Sequence, residues 1–344
     1  MYFINNLKIL FGIQGTGNGH LTRSRIIIKL LRSKGHEIDV IISGRKKDKL
    51  WGIQDLKPYN VFDGLSYESK KGKIQKLKTI KNAGIFQFLE DLKKIKNDNY
   101  DLIISDYEPL SAYLAKKWKK TSIGIAHQYA FEYDIPKTGY NLFTHFLMKK
   151  YAPVDINIGL HWHHFNQPIL PPIIEKIDLH DINEKSDQIM VYLPWEEIKF
   201  VSKLLSKIQN ITFLIYCNVE KEIVDKNIKY RPLSRKTFLK DLKESEGIIT
   251  NAGFETPSEA LSMGKKVFVK PLKGQFEQLS NAKALKQLNL ATVVNKLTKK
   301  NIEKWCLKTE RKKIKCEGVA DQIIYWLEKG DFDRLNELKS KFWN

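Results

Sequence analysis

The segment that decides the fold, residues 248–278, reads IITNAGFETPSEALSMGKKVFVKPLKGQFEQ. Its apolar start, residues 248–250, leads into a turn at Gly253, which predicts a buried strand followed by a tight bend. Gly264 is placed to end the helix that follows, and Val267–Val269 predicts the next strand. This succession of strand, glycine turn, helix and strand predicts one unit of a parallel α/β sheet.

The start of that helix predicts a site for phosphate. Thr256 fits the N-cap, Pro257 the first helical position and Glu259 the third residue of a capping box. Free backbone N–H groups and the positive end of the helix dipole attract anions there. Glu259 offers two oxygens to sugar hydroxyls. Glu277 and Gln278, expected on the loop after the next strand, open toward the same sheet edge. Together these residues predict a pocket for a nucleotide sugar.

The same residues resemble the donor-binding region of GT-B glycosyltransferases, most closely family 28, typified by the N-acetylglucosaminyltransferase of lipid II synthesis. The resemblance implies that Glu259 holds the ribose hydroxyls, and that Glu277 and Gln278 hold the donor sugar. It also implies a diphosphate site on the turn, with donor contacts at Asn251, Gly253, Phe254, Glu255 and Thr256. Plant-type relatives carry a phosphate-binding His at the position of Asn251, so phosphate binding is expected to depend more on backbone here.

A second glycine turn lies near the N-terminus. Residues 8–13 predict a strand that ends in Gly-Thr-Gly-Asn-Gly at 15–19, and an amphipathic helix is expected to follow as far as Lys34. The third glycine arrives one residue too early for the dinucleotide fingerprint, and the pattern is not a P-loop. GTGNGH resembles the GTGGH turn of family 28, which implies donor contacts at Gly17 and Asn18 and an acceptor contact at Gly19.

His20 and Asp106 are the candidate catalytic residues. His20 is either a structural histidine bonded to a nearby carbonyl or the general base that deprotonates an acceptor hydroxyl. Asp106, expected just after a buried strand at 100–105, either caps the next turn or orients the imidazole of His20. The resemblance favours the second interpretation of each residue.

Two further histidine positions follow predicted strands. His127 and Gln128 come after a strand at 121–126, where family 28 has an H-E-Q-N turn and only Gln128 matches cleanly. We assign both residues to acceptor binding. The cluster at 161–164, HWHH, has two side chains on one strand face, but no carboxylate or cysteine at convincing spacing. It is interpreted as packing, and no metal site is predicted.

The second half repeats the alternation of strands and helices. The resemblance to family 28 implies that the backbone of the turn at Arg231 and Leu233 reads the pyrimidine edge of the donor base. Adjacent prolines within residues 167–172 mark a connector. The predicted fold is therefore α/β of the GT-B type, with two Rossmann-like doubly wound domains that face a central cleft. Residues 1–170 form the acceptor-binding domain, 171–325 the nucleotide-sugar domain, and 326–344 a helical segment that crosses back to the first domain.

The chain of 344 residues carries a formal net charge of +20, which raises nucleic acid or an anionic membrane as partners. Only eight of the 59 basic residues are Arg, the side chain that phosphate and base recognition usually recruits. We therefore regard nucleic acid as an unlikely partner and peripheral membrane contact as open. The Lys-rich stretch 66–99 is expected to form one or two amphipathic helices, and 140–150 a core or interfacial helix.

No apolar run reaches the ~18 residues that a membrane span needs, and no signal-peptide pattern is recognised at the N-terminus. Three widely spaced cysteines suit a reducing compartment. A cytoplasmic location, with the inner face of the membrane as an option, is the expectation.

The predicted function is transfer of a sugar from a nucleotide diphosphate sugar to an acceptor hydroxyl with inversion and without a metal. The donor is expected to be UDP-linked, with UDP-N-acetylglucosamine implied by the resemblance, and it serves as co-substrate with no separate cofactor. The acceptor is expected to be a glycan or a lipid-linked sugar of the cell envelope. The alternatives are a non-hydrolysing nucleotide-sugar epimerase and a basic protein that binds nucleic acid or lipid.

Overall fold

The computed structural model describes residues 6–50, 52–64, 69–70, 73–74, 84–139, 142–176, 184–330 and 332–343. Two seven-stranded sheets dominate these residues, and each is covered by helices, as the α/β pattern predicts.

The first sheet has the strand order β3-β2-β1-β6-β7-β8-β9, and all its strand pairs are parallel. A separate antiparallel pair, β4 with β5, lies outside it. The strands of this half are β1 (Lys8–Gln14), β2 (Glu37–Ser43), β3 (Tyr59–Phe62), β4 (Ser69–Lys70), β5 (Lys73–Ile74), β6 (Leu102–Asp106), β7 (Ser122–Ala126), β8 (Ile156–Leu160) and β9 (Ile169–Leu170). The helices are α1 (Asn18–Ser33), α2 (Ile85–Lys94), α3 (Pro109–Trp118) and α4 (Leu142–Tyr151).

The second sheet has the order β12-β13-β11-β10-β14-β15-β16, parallel except for the edge pair β12–β13. Its strands are β10 (Lys185–Tyr192), β11 (Thr212–Cys217), β12 (Ile223–Asp225), β13 (Ile228–Pro232), β14 (Ser245–Thr250), β15 (Lys266–Val269) and β16 (Thr292–Val293). The helices of this half are α5 (Ile198–Leu205), α6 (Arg235–Glu244), α7 (Glu255–Ser262), α8 (Phe276–Gln287), α9 (Lys299–Cys306), α10 (Val319–Lys329) and α11 (Leu335–Ser340).

The order of the central strands brings distant residues together. Strands β6 and β7 are buried along their whole length, as expected for parallel strands covered on both faces. Strand β1 pairs with β6 so that Ile13 lies opposite Asp106. The turn after β1 and the end of β6 therefore meet at one edge of the first sheet, where ligands of doubly wound sheets bind.

The C-terminal helices return to the first sheet. Helix α10 packs against α1, and Glu328 accepts a hydrogen bond from Lys34 at 2.8 Å and lies 3.4 Å from His36 Nε2. Further on, Trp343 Nε1 donates to the carbonyl of Ile169 at 2.6 Å. The returning helix begins at Val319, ahead of the predicted boundary at 326. A single cluster of buried apolar side chains extends from the first sheet through α10 to the second.

Two local expectations were wrong. Helix α7 begins at Glu255 after Phe254, and its N-cap makes no side-chain hydrogen bond, so the predicted capping box at Thr256 does not form. The reason is that Thr256 lies inside the helix, and Glu259, the expected acidic member, pairs with an arginine of α6. Glu277 and Gln278 lie in the first turn of α8, not on a loop.

The Lys-rich stretch contains one described helix, α2, and the strand pair β4–β5, while its other residues in 65–83 lie outside the described residues. The helix expected at 140–150 is α4, and Tyr140 lies outside the described residues. Within the described ranges, no helix is long and apolar enough to cross a bilayer.

Candidate active site between the two sheets

A cleft opens where the N-terminal ends of α1 and α7 meet. Asn18, Gly19 and Thr22 of α1 line one side, and Glu255, Thr256 and Glu259 of α7 line the other. The remaining wall is largely apolar and comes from the second domain, with Tyr192, Tyr216, Leu233 and Phe238. A concave, mainly apolar site with a few converging polar groups is typical of small-ligand pockets.

Close contact between the two helix ends depends on Gly19. A Cβ at this position would lie 2.9 Å from the Cβ of Glu255, closer than side chains tolerate. The missing Cβ lets α1 approach α7 directly. Asn18 is held beside this contact, since its Oδ1 accepts from Arg45 Nη1 at 2.9 Å and its Nδ2 lies 3.4 Å from Tyr192 Oη. The predicted glycine turn thus forms the joint between the domains.

His20 and Asp106 form the predicted pair. His20 Nδ1 lies 2.7 Å from Asp106 Oδ1, and both residues are buried. Asp106 also accepts from Ser24 Oγ at 2.8 Å. The alternative capping role belongs to Glu108, whose carboxylate accepts from the backbone N–H groups of Leu110 and Ser111 at the start of α3.

Arg23 completes this cluster and was not predicted. Its Nε donates to Asp106 Oδ2 at 2.9 Å and its Nη2 to Asp106 Oδ1 at 2.5 Å. Burial alone would raise the pKa of the Asp106 carboxyl, but Arg23 and His20 outweigh it and lower that pKa below its ordinary value. Asp106 is therefore a carboxylate around neutral pH, able to orient an imidazole.

The two acidic residues of α7 are both buried at the cleft. Burial raises the pKa of Glu255 to about 8 against the opposing charge of Arg23, and Glu259 adds to the rise. Burial also raises the pKa of Glu259, although Arg235 opposes it with Nη1 at 2.6 Å from Glu259 Oε1. If Glu259 binds ribose hydroxyls as predicted, its carboxylate must do so while it is paired with Arg235.

The turn before α7 offers polar groups without a protein partner. The helix has no side-chain cap, so its first N–H groups face the turn. Space around Gly253 is open, because a Cβ there would meet nothing within 4 Å. Asn251 donates from Nδ2 to the carbonyl of Lys270 at 3.0 Å, while its buried Oδ1 has no hydrogen-bond partner. Because Oδ1 only accepts hydrogen bonds, it offers nothing to an anion, and the groups here that could bind one are the backbone N–H groups at the start of α7.

Helix α8 brings Glu277 and Gln278 to the joint in different roles. Glu277 accepts from Gln128 Nε2 at 3.0 Å, and the same Nε2 lies 3.4 Å from His20 Nε2. Gln278 is buried, and its Oε1 accepts from the backbone N–H of Leu272 at 2.7 Å, which ties its carbonyl to the preceding loop. Gln128 and Glu277 therefore lie beside the His20–Asp106 pair.

His127 does not face the cleft. It is fully buried and stacks on Phe254 with ring centroids 3.9 Å apart. Its Nδ1 lies 2.7 Å from the carbonyl of Leu160 and its Nε2 2.7 Å from Asn281 Oδ1 of α8. Burial lowers the pKa of this imidazole. Because the end of β7 lies against α8, His127 links the two domains and does not make the predicted acceptor contact.

The base-reading role of the backbone at Arg231 and Leu233 stays a prediction. The side chain of Arg231 pairs with Glu222 and lies 3.1 Å from Asp241 Oδ2, so the guanidinium is held at the β12–β13 edge, while Leu233 lines the cleft. The histidines at 161–164 pack against aromatic rings, including His163 stacked on His164. Among the described residues there is no group of three or more His, Cys, Asp or Glu that could hold a metal ion.

Sequence reasoning missed Arg23 and Arg235. Arginine is scarce in this chain, and Arg23 lies three residues after His20 on one helix, so the two side chains share a face. That spacing is a signal that could have identified Arg23. Nothing local marks Arg235, since its partner Glu259 comes from another helix.

Known structures share this fold over almost the whole chain. Arabidopsis thaliana UGT89C1 complexed with UDP-L-rhamnose matches with a TM-score of 0.62 and 12% identity, covering 98% of this chain and 99% of that one. The Streptomyces sp. SF2575 glycosyltransferase SsfS6 matches with a TM-score of 0.58 and 12% identity, covering 98% and 97%. The glycotransferase of kitacinnamycin matches with a TM-score of 0.58 and 13% identity, covering 98% and 95%. At such identities the likeness establishes the fold alone, which is GT-B.

No curated protein matches the chain in sequence. The narrower resemblance to family 28 is not confirmed. A family model described as glycosyl transferase family 1 matches residues 7–309. Because that match spans most of the chain, and the two doubly wound domains agree with it, the protein belongs to glycosyl transferase family 1.

Proposed function

We propose that the protein transfers a sugar from a UDP-linked donor to an acceptor hydroxyl, with inversion at the anomeric carbon and without a metal. The observation that carries the proposal is the position of the His20–Asp106 pair beside the uncapped start of α7. In the proposal the base and the start of α7 flank one reacting centre, as an in-line displacement requires.

In this scheme His20 Nε2 takes the proton of the acceptor hydroxyl while Asp106 holds the imidazole through Nδ1. The hydroxyl oxygen forms the new bond to the anomeric carbon as the bond to the diphosphate breaks. The departing diphosphate is stabilised by the backbone N–H groups and dipole at the start of α7, where Gly253 leaves room for close approach. Glu259 and Glu277 are assigned to ribose and donor-sugar hydroxyls.

A panel of nucleotide sugars tests the donor, since a ligand that binds the folded state raises the melting temperature. UDP-N-acetylglucosamine, UDP-glucose, UDP-rhamnose and GDP-mannose form a useful first set. We expect a shift with UDP sugars and a smaller one in Glu259→Gln. NMR of the product then reads the anomeric configuration. Retention would contradict inversion, and donor conversion without any acceptor would favour the epimerase instead.

For the acceptor we propose a glycan or lipid-linked sugar, reached at the inner face of an anionic membrane. Helix α2 supports this, because Ile85, Phe86 and Leu89 are exposed, Phe86 by 88%, and Lys93 and Lys94 follow in its last turn. We expect Phe86→Ser to reduce sedimentation with phosphatidylglycerol vesicles. Leu307→Ser, at an apolar position 83% exposed in the other domain, is the control. Equal loss in both variants would contradict the assignment.

A further inference from the structure

Arg23 occupies a position that the proposed mechanism does not use. It is 2% exposed, and its guanidinium contacts both members of the catalytic pair. Asp106 Oδ1, His20 Nδ1 and Arg23 Nη2 form a triangle with sides of 2.7 Å (His20–Asp106), 2.5 Å (Arg23–Asp106) and 2.7 Å (Arg23–His20). The Nη2 group of Arg23 and Nδ1 of His20 therefore both contact Asp106 Oδ1 and also contact each other, so the position of the imidazole proton decides which hydrogen bonds form.

A neutral imidazole cannot satisfy both neighbours of Nδ1. If Nδ1 carries the proton, it donates to Asp106 and its N–H group faces an N–H group of Arg23. If Nδ1 is unprotonated, it accepts from Arg23 and its lone pair faces the carboxylate. Only the first tautomer leaves Nε2 free to accept a proton from a hydroxyl, because the second places the proton on Nε2.

The same guanidinium reaches the other domain. Arg23 Nη1 lies 3.4 Å from Glu255 Oε2, and Glu255 is the first residue of α7, where the diphosphate is assigned. The other oxygen of Glu255, Oε1, is buried without a hydrogen-bond partner. Arg23 is thus the direct side-chain connection from Asp106 to the start of α7.

We propose that Arg23 is a positioning residue that sets the tautomer of His20 and links it to anion binding at the start of α7. When Nη2 lies between Asp106 and His20 at 2.5 and 2.7 Å, it favours the tautomer with the proton on Nε2, and it outweighs the longer 3.4 Å contact of His20 Nε2 with the amide nitrogen of Gln128. When an anion draws the guanidinium toward α7 through Nη1, Asp106 Oδ1 is left to the Nδ1–H group and Nε2 becomes a base. The inference rests on the proposed function only for the identity of that anion, a nucleoside diphosphate.

Long-range ¹H–¹⁵N NMR of the full chain with ¹⁵N-histidine distinguishes the two tautomers at each ring. The signals of His20 are identified by their loss in His20→Gln. We expect the Nε2–H tautomer in the wild type and the Nδ1–H tautomer in Arg23→Lys. Adding UDP should move the wild type to Nδ1–H and leave Arg23→Lys unchanged. Arg32→Lys, on the same helix, is the matched control and should behave as the wild type does.

A common tautomer in wild type and Arg23→Lys would overturn the inference, as would an imidazole protonated on both nitrogens throughout. If Arg23→Lys does not fold, Glu255→Ala replaces it, because this change removes the contact of Arg23 Nη1 with α7 and leaves every contact to Asp106 in place. UDP should then no longer change the tautomer of His20, and an unaltered response to UDP would equally overturn the link.

The two proposals fail separately. If the wild type transfers no sugar but its tautomer differs from that of Arg23→Lys, the proposed function falls and the role of Arg23 stands. If sugar is transferred but the tautomer is the same in wild type and Arg23→Lys, the role of Arg23 falls and the proposed function stands.

Discussion

At the scale of single residues, each acidic side chain of the α7 start faces an arginine from a different element. Glu255 faces Arg23 of α1, and Glu259 faces Arg235 of α6. Buried carboxyls beside a phosphate site would repel the ligand if both were fully charged. Partial neutralisation by arginine and by retained protons makes the site compatible with an anionic donor.

His20→Ala tests the base directly. Because general-base catalysis contributes about 10²–10⁴-fold, we expect kcat to fall by at least ~10²-fold while UDP binding persists. Initial rates of sugar transfer measure the first quantity and calorimetry the second. His164→Ala removes a histidine of the 161–164 cluster and should leave both near the wild-type values. A His20→Ala rate within a few-fold of wild type would exclude the base role.

Glu255 makes stability depend on pH. Its pKa is about 8 in the folded protein against an ordinary 4.5, so between these values the folded state keeps a proton that the unfolded state has released. The free energy of unfolding therefore falls as pH rises through this window. We expect the Tm of Glu255→Gln, relative to wild type, to rise from pH 5 to pH 9. Glu90→Gln, at an exposed residue of α2, is the control, and a constant Tm difference for Glu255→Gln would contradict the prediction.

At this scale the sequence could identify His20 and Asp106 as candidates, because each follows a recognisable strand, and the resemblance to family 28 favoured a catalytic role over the structural alternatives. Arg235 could not, since an ion pair between α6 and α7 leaves no pattern in either segment. The role of His127 was also misassigned, because its position after β7 indicates the sheet edge but not that α8 covers it.

At the scale of elements, the decisive feature is the direct meeting of two helix N-termini. Sequence patterns predicted both helices and both glycine turns. The missing side-chain cap on α7 could not be predicted, because Thr256–Glu259 has the spacing of a capping box, whereas the helix begins one residue before Thr256 and Glu259 pairs with Arg235.

Gly19→Ala tests this meeting of helices. The new Cβ would lie 2.9 Å from Glu255 Cβ, so α1 and α7 must separate, and we expect about 1–3 kcal/mol of lost stability in chemical denaturation. Adding Glu255→Gly should restore part of it, as a double-mutant cycle would show. Gly253→Ala, where the surrounding space is open, is the matched control. Equal stability of the two alanine variants would refute the steric explanation.

At the scale of the whole molecule, α10 joins the hydrophobic cluster that both sheets share. Leu327 is 1% exposed in this helix, so Leu327→Ala should lower the free energy of unfolding by about 2–5 kcal/mol. Leu307→Ala makes the same truncation at a residue 83% exposed and should change it little. Urea titrations followed by tryptophan fluorescence and circular dichroism measure the free energy of unfolding of the two variants. A destabilisation of similar size in Leu327→Ala and Leu307→Ala would argue against this role of α10.

The sequence by itself determined the alternation of strands and helices, the two glycine turns and the pair of catalytic candidates, because these depend on local periodicity, turn chemistry and neighbouring residues. The tertiary structure decided which charges meet. Arg23 reaches from Asp106 to Glu255 because the two sheets bring together helix ends that lie 232 residues apart in the chain. Arg235 pairs with Glu259 from another helix of the same domain. Such contacts depend on how helices and domains pack, and that packing leaves no period in the sequence.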